Sequence, residues 1–428
     1  MRRVLVLALL VSARAHAASL EPALPLRPPA DDDALLDRLE RDAFSYFWFE
    51  TTLDTGLTKD RAGTLEPDEV HLASIAATGF ALSALVVGAE RGYLSRDAAA
   101  ARAVLMLRRL TDRLPREHGW FYHFYDRNSA HRAGTCEVSS VDSALLFYGA
   151  LTAGQYFGGD CQKLAEALFA GADWSWMLDG GDLVRHGWTP EHGFIKYRWD
   201  HYSETQLIVL LGLGSPKAPL PARCWSAWSR ANVGDYHGHH TFATGLFTFN
   251  YNGAYIDWRG RRDPAAAGLD YAALAEAGVR ANHDFCLAEE AAGRGSYDES
   301  FWGLSATDTP DGGYRAYFAP PHAPDHDGTI CPWAVAGALP WAPDLVMPTL
   351  RGLLARYGGS IYGRYGFVSA ANRRRNWVRT EAIGIDVGAA LLNIENQRSG
   401  LIWRTFAASD VGRRALAAAG VEESAPRR

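Results

Sequence analysis

The chain has 428 residues, 48% of them hydrophobic and 12% aromatic, with a formal net charge of −6. That acidic balance excludes electrostatic attraction to nucleic acid. Five cysteines stand far apart with no CxxC pair, which excludes a cysteine zinc site and a dense disulfide framework and leaves at least one thiol free.

At the N-terminus, Arg2 and Arg3 precede an apolar run from Val4 to Val11, followed by Ala15-His16-Ala17. This order predicts a secretory signal peptide over residues 1–18, too short in its apolar core to span a bilayer. Without Arg2, Arg3 and Arg14 the net charge falls from −6 to −9. No later stretch is apolar and long enough for a membrane helix, so the mature chain is expected to be soluble and periplasmic or secreted. Residues 19–32 are proline-rich and read as a linker. Residues 33–428 read as a single catalytic domain, expected to be monomeric.

From residue 33 two kinds of helical segment alternate. Amphipathic segments cover 35–49, 96–114, 162–177, 219–230, 271–288 and 345–357. Segments apolar on nearly every side cover 73–87, 140–157, 203–212, 239–249, 329–339 and 386–394. A helix without a polar face must be buried all round. Six buried helices alternating with six amphipathic ones predict an all-α fold, an (α/α)6 toroid of inner and outer helices. Long loops at 253–270 and 294–324, rich in Gly, Pro, Tyr and Trp, read as functional, with room for a hairpin or two.

The acids cluster at the starts of the buried segments. Ser139-x-x-Asp142 has capping-box spacing, so Asp142 reads as a helix cap, while Glu137 can project beyond the helix end. Ser203 reads as the cap of the next buried helix, with Glu204 in its first turn; Asp327 and Asp386 stand at the starts of two more. Inner helices of a toroid run parallel, so Glu137, Glu204, Asp327 and Asp386 should share one mouth. Glu is a poor N-cap, which singles out Glu137 and Glu204.

Two carboxylates across an aromatic-lined mouth suit glycoside hydrolysis. One donates a proton to the leaving oxygen; the other activates water or attacks the anomeric carbon. No GxSxG, HExxH, P-loop or dinucleotide fingerprint competes. Tyr236 with His237, His239 and His240 leaves a polysaccharide lyase open, and a non-catalytic glycan-binding protein is a third reading. No metal and no cofactor is implied; the expected partner is an oligo- or polysaccharide.

CEVSSVDSALLFYGALTAGQYF and YSETQLIVLLGLGSP resemble the two glutamate-bearing motifs of the bacterial glucoamylase-like family, which includes the endo-β-1,2-glucanases of glycoside hydrolase family 144. The resemblance runs in order through ASIAATGFALSALVVGAERGYLSRDAA, GLFTFNYNGAYIDWRGRRD, WGLSATDTPDGGYRAY, DGTICPWAVAGALPWAP and GIDVGAALLNIENQRSGLIWRTF, over residues 33–408. It implies an (α/α)6 toroid, a metal-independent inverting hydrolase, and a β-glucan substrate with the β-1,2 linkage as first candidate. It also implies Glu137 and Glu204 as the acidic pair. The chain departs from the family pattern at Val387 and at Thr205–Gln206.

Further sugar contacts are expected from Trp120, Tyr122, His123 and Asp126 in GWFYHFYD, and from Arg198, His201 and Tyr202 upstream of Glu204. Trp302, Asp308 and Tyr314 belong to a Gly-rich loop expected over the mouth; Trp377 and Asp386 lie at the last inner helix. Asp54 and Asp60 read as turn residues.

Overall fold

The computed structural model describes residues 17–18, 27–318 and 326–421; the predicted signal peptide up to residue 16 and much of the linker lie outside the described residues. The chain is predominantly helical. In order the helices are α1 (Asp32–Glu50), α2 (Ile75–Glu90), α3 (Arg96–Arg113), α4 (Ser140–Phe157), α5 (Gly159–Ala170) and α6 (Trp174–Leu178). Then come α7 (Thr205–Leu213), α8 (Arg223–Ala227), α9 (Leu246–Ala254), α10 (Tyr271–Ala291) and α11 (Pro332–Gly337). The last are α12 (Pro343–Tyr357), α13 (Gly384–Arg398), α14 (Leu401–Ala408) and α15 (Asp410–Ala419). Asp31, Ser74, Ser95, Ser139, Asp270 and Ser409 cap α1, α2, α3, α4, α10 and α15, each accepting a first-turn backbone N–H.

α2, α4, α7, α9, α11 and α13 are buried along nearly their whole lengths. Each packs on the next in that order and α13 returns to α2, closing a circuit. Outside it, α1 packs on α2 and α13, α3 and α5 on α4, α10 on α9, and α12 on α11. α2 and α4 meet through backbone: a Cβ on Gly149 would lie 1.9 Å from the carbonyl oxygen of Gly79. Gly149→Val is therefore expected to pry these helices apart and lower the unfolding free energy by about 2–3 kcal/mol or more, read from the denaturation midpoint.

The middle of the circuit is filled. Phe80 of α2 meets Tyr251 of α9 and Tyr255 at its C-terminal cap, with ring centroids 6.3 and 6.2 Å apart. Tyr148 of α4 stacks on Tyr255 at 4.9 Å, and Phe406 of α14 closes on Tyr148 at 4.8 Å. Neither α2 nor α4 adjoins α9 in the circuit, so these buried rings bridge its interior.

Short antiparallel strands form a collar where inner helices begin. Leu72–Ser74, Val138–Ser139, Thr329–Ile330 and Glu381–Ile383 lead into α2, α4, α11 and α13. They pair with Phe124–Asp126, Gly187–Thr189, Ala370–Asn372 and Arg61–Gly63. The all-α expectation is corrected to a helical fold with a β collar; strands of two or three residues are too short to print an alternating pattern.

Other differences have local causes. Residues 162–177 break at 171–173 into α5 and α6. Between Pro219 and Arg230 only α8 forms, because Pro219 and Pro221 cannot donate to a helical ladder. His239–Phe242 is a strand paired with Val233–Tyr236 across His237 and Gly238, whose φ values of 48° and 82° suit a two-residue hairpin. The inner helix there starts only at Leu246. All five cysteines are free. No helix among the described residues is long and apolar enough to cross a membrane.

Candidate active site

The capping box forms as its spacing predicts. Ser139 Oγ accepts from the Asp142 N–H at 3.3 Å and donates to Asp142 Oδ2 at 2.5 Å. The other oxygen of Asp142 lies 3.5 Å from His123 Nε2, and His123 Nδ1 lies 3.0 Å from Glu137 Oε1. The imidazole thus sits between two carboxylates. Backbone fixes it: the His123 N–H donates to the Glu137 carbonyl, and its own carbonyl accepts from the Ile75 N–H at the start of α2. The ring also stacks on Phe124, with centroids 3.7 Å apart.

These contacts separate the protonation states. Burial alone would depress His123, but the charges of Asp142 and Glu137 outweigh it and raise the imidazole to about 9. Burial would raise Glu137, yet the hydrogen bond and charge of His123 prevail and hold its carboxyl below the ordinary value. Asp142 is raised, chiefly by burial. Gly187 makes room for this group: a Cβ there would come 3.0 Å from Glu137 Cγ.

Glu204 is set differently. It occupies the cap position of α7 with helical backbone and no cap bond from its own side chain, while Ser203 Oγ accepts the N–H of Thr205, the first residue of α7, at 3.4 Å as expected. Some of its surface stays accessible although protein surrounds it closely. Burial, assisted by the charge of Asp142, pushes its carboxyl up to about 7. Asp386, in the first turn of α13, is buried; its Oδ2 lies 3.7 Å from Cys331 Sγ. Burial first, then the charge of Asp308, pushes it up to about 8.

The two sides join through Asp60. Expected in a turn, it is instead buried in the collar: its N–H donates to the Leu72 carbonyl, its carbonyl accepts from the Gly384 N–H, and its carboxylate lies 3.1 Å from Arg61 Nε. Its charge acts on His123, Asp142 and Asp386 alike. Arg61 also reaches Asp308 at 2.9 Å, and Ser369 Oγ donates to Asp308, so Asp308 is a buried, paired group rather than an open loop residue. Tyr314 is 49% exposed, yet its hydroxyl is hemmed in beside Asp386, Cys331, Asp60 and Asp308 and is raised well above the phenol range, first by burial.

Other expected contacts lie elsewhere. Trp120 and Trp302 are fully buried, their indole N–H groups donating to the Asp173 carbonyl and to Thr349 Oγ1, so neither offers a face to a sugar. Tyr122 is buried with the Arg132 guanidinium over its ring, and Tyr202 is stacked on Phe242 at 3.6 Å. Asp126 accepts from the backbone of Asn128 and Ser129 and serves a turn. Arg198 donates to the carbonyls of Leu178, Leu183 and Asp179, tying down the end of α6. His201 is exposed and bonded to Asp200, with a small effect on Glu204. Trp377 is partly buried on strand Trp377–Arg379, opposite Asn372. Asp327 accepts from the Thr329 N–H and the Tyr317 hydroxyl, a loop tie rather than a free acid. On the hairpin, His239 pairs with Asp284 of α10 and His240 with Asp235 of the facing strand.

Grooves of about 440 and 430 Å³, one between α5 and α15 and one beside Trp403, contain none of the acids grouped above. Sequence reasoning missed the part played by Asp60, Arg61 and Tyr251, which the fold brings within electrostatic reach of Asp386 from distant segments.

The family model described as "Putative glucoamylase" matches residues 196–410. A relative from Parabacteroides distasonis, an exo β-1,2-glucooligosaccharide sophorohydrolase (non-reducing end), is 26% identical over 420 residues, covering 88% of this chain. The chain spans only 56% of the length of that relative. A solved structure from Bacteroides uniformis, described as a putative glucoamylase, superposes with a TM-score of 0.83 at 27% identity, covering 92% of this chain and 98% of that one. The endo-β-1,2-glucanase of Chitinophaga pinensis shares the fold, with a TM-score of 0.80 at 23% identity over 91% of this chain and 98% of that one.

Proposed function

The chain belongs to the family described as "Putative glucoamylase", and we propose that it is a glycoside hydrolase cleaving a β-glucan, with β-1,2-linked glucan as the first substrate to test. The closed circuit of buried helices supports reading residues 33–428 as one (α/α)6 toroid. The names of the sophorohydrolase and the glucanase support the substrate class. The leader of the sequence supports export to the periplasm or beyond, and the protein is taken to act as a single chain.

One arrangement carries the reading: Glu204, a carboxyl that keeps its proton near neutrality, lies within electrostatic reach of Asp142, and Asp142 shares His123 with Glu137, a carboxyl kept ionised by that cation. Groups whose environments push their protonation apart divide acid from base. Glu204 gives its proton to the glycosidic oxygen as the bond to the anomeric carbon breaks. Glu137 takes a proton from the water that forms the new bond on the opposite face, so configuration inverts. A second reading rests on Asp386, also held protonated, as the donor; a larger loss in Asp386→Asn than in Glu204→Gln would favour it.

The test is incubation with linear and cyclic β-glucans of several linkages. New reducing ends from β-1,2-glucan, appearing first as the α-anomer by proton NMR, are the expected result. An ultraviolet-absorbing double bond would identify a lyase, and tight binding without new ends a glycan-binding protein; either overturns the reading. Activity should fall as pH rises through about 7, where Glu204 loses its proton, and on the acid side only below the ordinary carboxylate range, where Glu137 gains one.

A further inference from the structure

Tyr251 of α9 and Tyr255 at its C-terminal cap point into the circuit, as the Phe80 contacts establish, and Phe247, one turn earlier, packs on Tyr251. Tyr255, the deeper ring, has its hydroxyl 3.1 Å from Ser83 Oγ. Tyr251, the ring nearer the acids, is 6% exposed, and its hydroxyl has no hydrogen-bond partner among the described residues. The groups acting on that hydroxyl are Asp386, Tyr314, Glu204 and Cys331, drawn from four separate segments of the chain. Burial, then the charge of Asp386, keeps the phenol protonated, so it is an O–H donor at any working pH. A buried donor left unpaired is costly, and beside acids that would act on a sugar the natural acceptor is a sugar hydroxyl.

We propose that Tyr251 is a substrate-binding residue, its hydroxyl donating to a hydroxyl of the glucosyl unit seated over Glu204 and Asp386. This rests on the hydrolase reading above. It explains why an inner-helix face otherwise lined by phenylalanine and a satisfied tyrosine carries an unsatisfied donor at the level of the acids. Removing the oxygen alone should leave the packing with Phe80 and Phe247 intact.

Tyr251→Phe is compared with the wild type in three measurements: melting temperature without sugar, affinity for β-1,2-linked oligosaccharides by calorimetry, and kcat and KM on β-1,2-glucan. Tyr255→Phe serves as control. Expected for Tyr251→Phe are an unchanged or higher melting temperature, an affinity about tenfold weaker, and a kcat/KM lower by about 10- to 100-fold. Tyr255→Phe should melt earlier while binding sugar as the wild type does. Wild-type affinity in Tyr251→Phe overturns the proposal, and a fall in kcat at unchanged affinity also overturns it, assigning the hydroxyl to the reacting water instead. If the wild type hydrolyses no glucan, the hydrolase reading fails separately; binding then decides for Tyr251, and equal binding in both proteins, including none, overturns the proposal.

Discussion

Glu204→Gln is expected to lower kcat on β-1,2-glucan by about 10²–10⁴-fold with little change in KM. The amide keeps the size of the side chain but has no proton acidic enough for the leaving oxygen. The loss should therefore shrink on a sophoroside of an acidic phenol, whose leaving group needs no protonation; an equal loss on both substrates would assign Glu204 another role. Stability provides a second readout. Glu204 has a folded pKa raised to about 7, so its contribution is fully present below the unfolded carboxyl value and is lost as pH rises through 7. Gln at 204 suffers no such loss. The melting temperature of the variant should gain on the wild type between pH 5 and 8; a pH-independent gap would mean that the carboxyl is not held protonated.

Glu137→Gln should be impaired by a comparable factor, about 10²–10⁴-fold, on good and poor leaving groups alike, because the attacking water loses its base. Added azide, a nucleophile with no proton to surrender, should restore part of the rate and yield a glycosyl azide of inverted configuration. No azide effect, with full activity in water, would remove Glu137 from the chemistry. His123→Gln separates the base from its cation. The acid limb of the rate profile should then move to higher pH, since the charge that favours ionised Glu137 is gone. An unmoved acid limb would show that Glu137 ionises without that help.

What could be read beforehand was local. The Ser139–Asp142 box is a four-residue signal and formed as expected. The buried helices lack a polar face and announce themselves by that alone. Glu137 and Glu204 could be picked out because glutamate is a poor cap; Glu137 stands just before the collar strand that leads into α4, and Glu204 at the cap position of α7. Asp60 could not be read this way. Its neighbours in sequence look like a turn, and its place depends on pairing Arg61–Gly63 with Glu381–Ile383, more than 300 positions away. Aromatic counts misled for a related reason: Trp120, Trp302 and Tyr202 are as apolar as any stacking platform, and only tertiary packing decides that their faces are covered. The hairpin at residues 233–242 was hidden because His237-Gly238 makes its turn through backbone conformation, while the flanking histidines and aromatics imitate a helical stripe.

The rings that bridge the interior, from Phe80 through Tyr255 and Tyr148 to Phe406, close the helical circuit along its axis. A polymer cannot be reeled through such a body. A polysaccharide that meets the acids must therefore approach and leave on the side where the inner helices begin, lying across that end instead of passing along the axis.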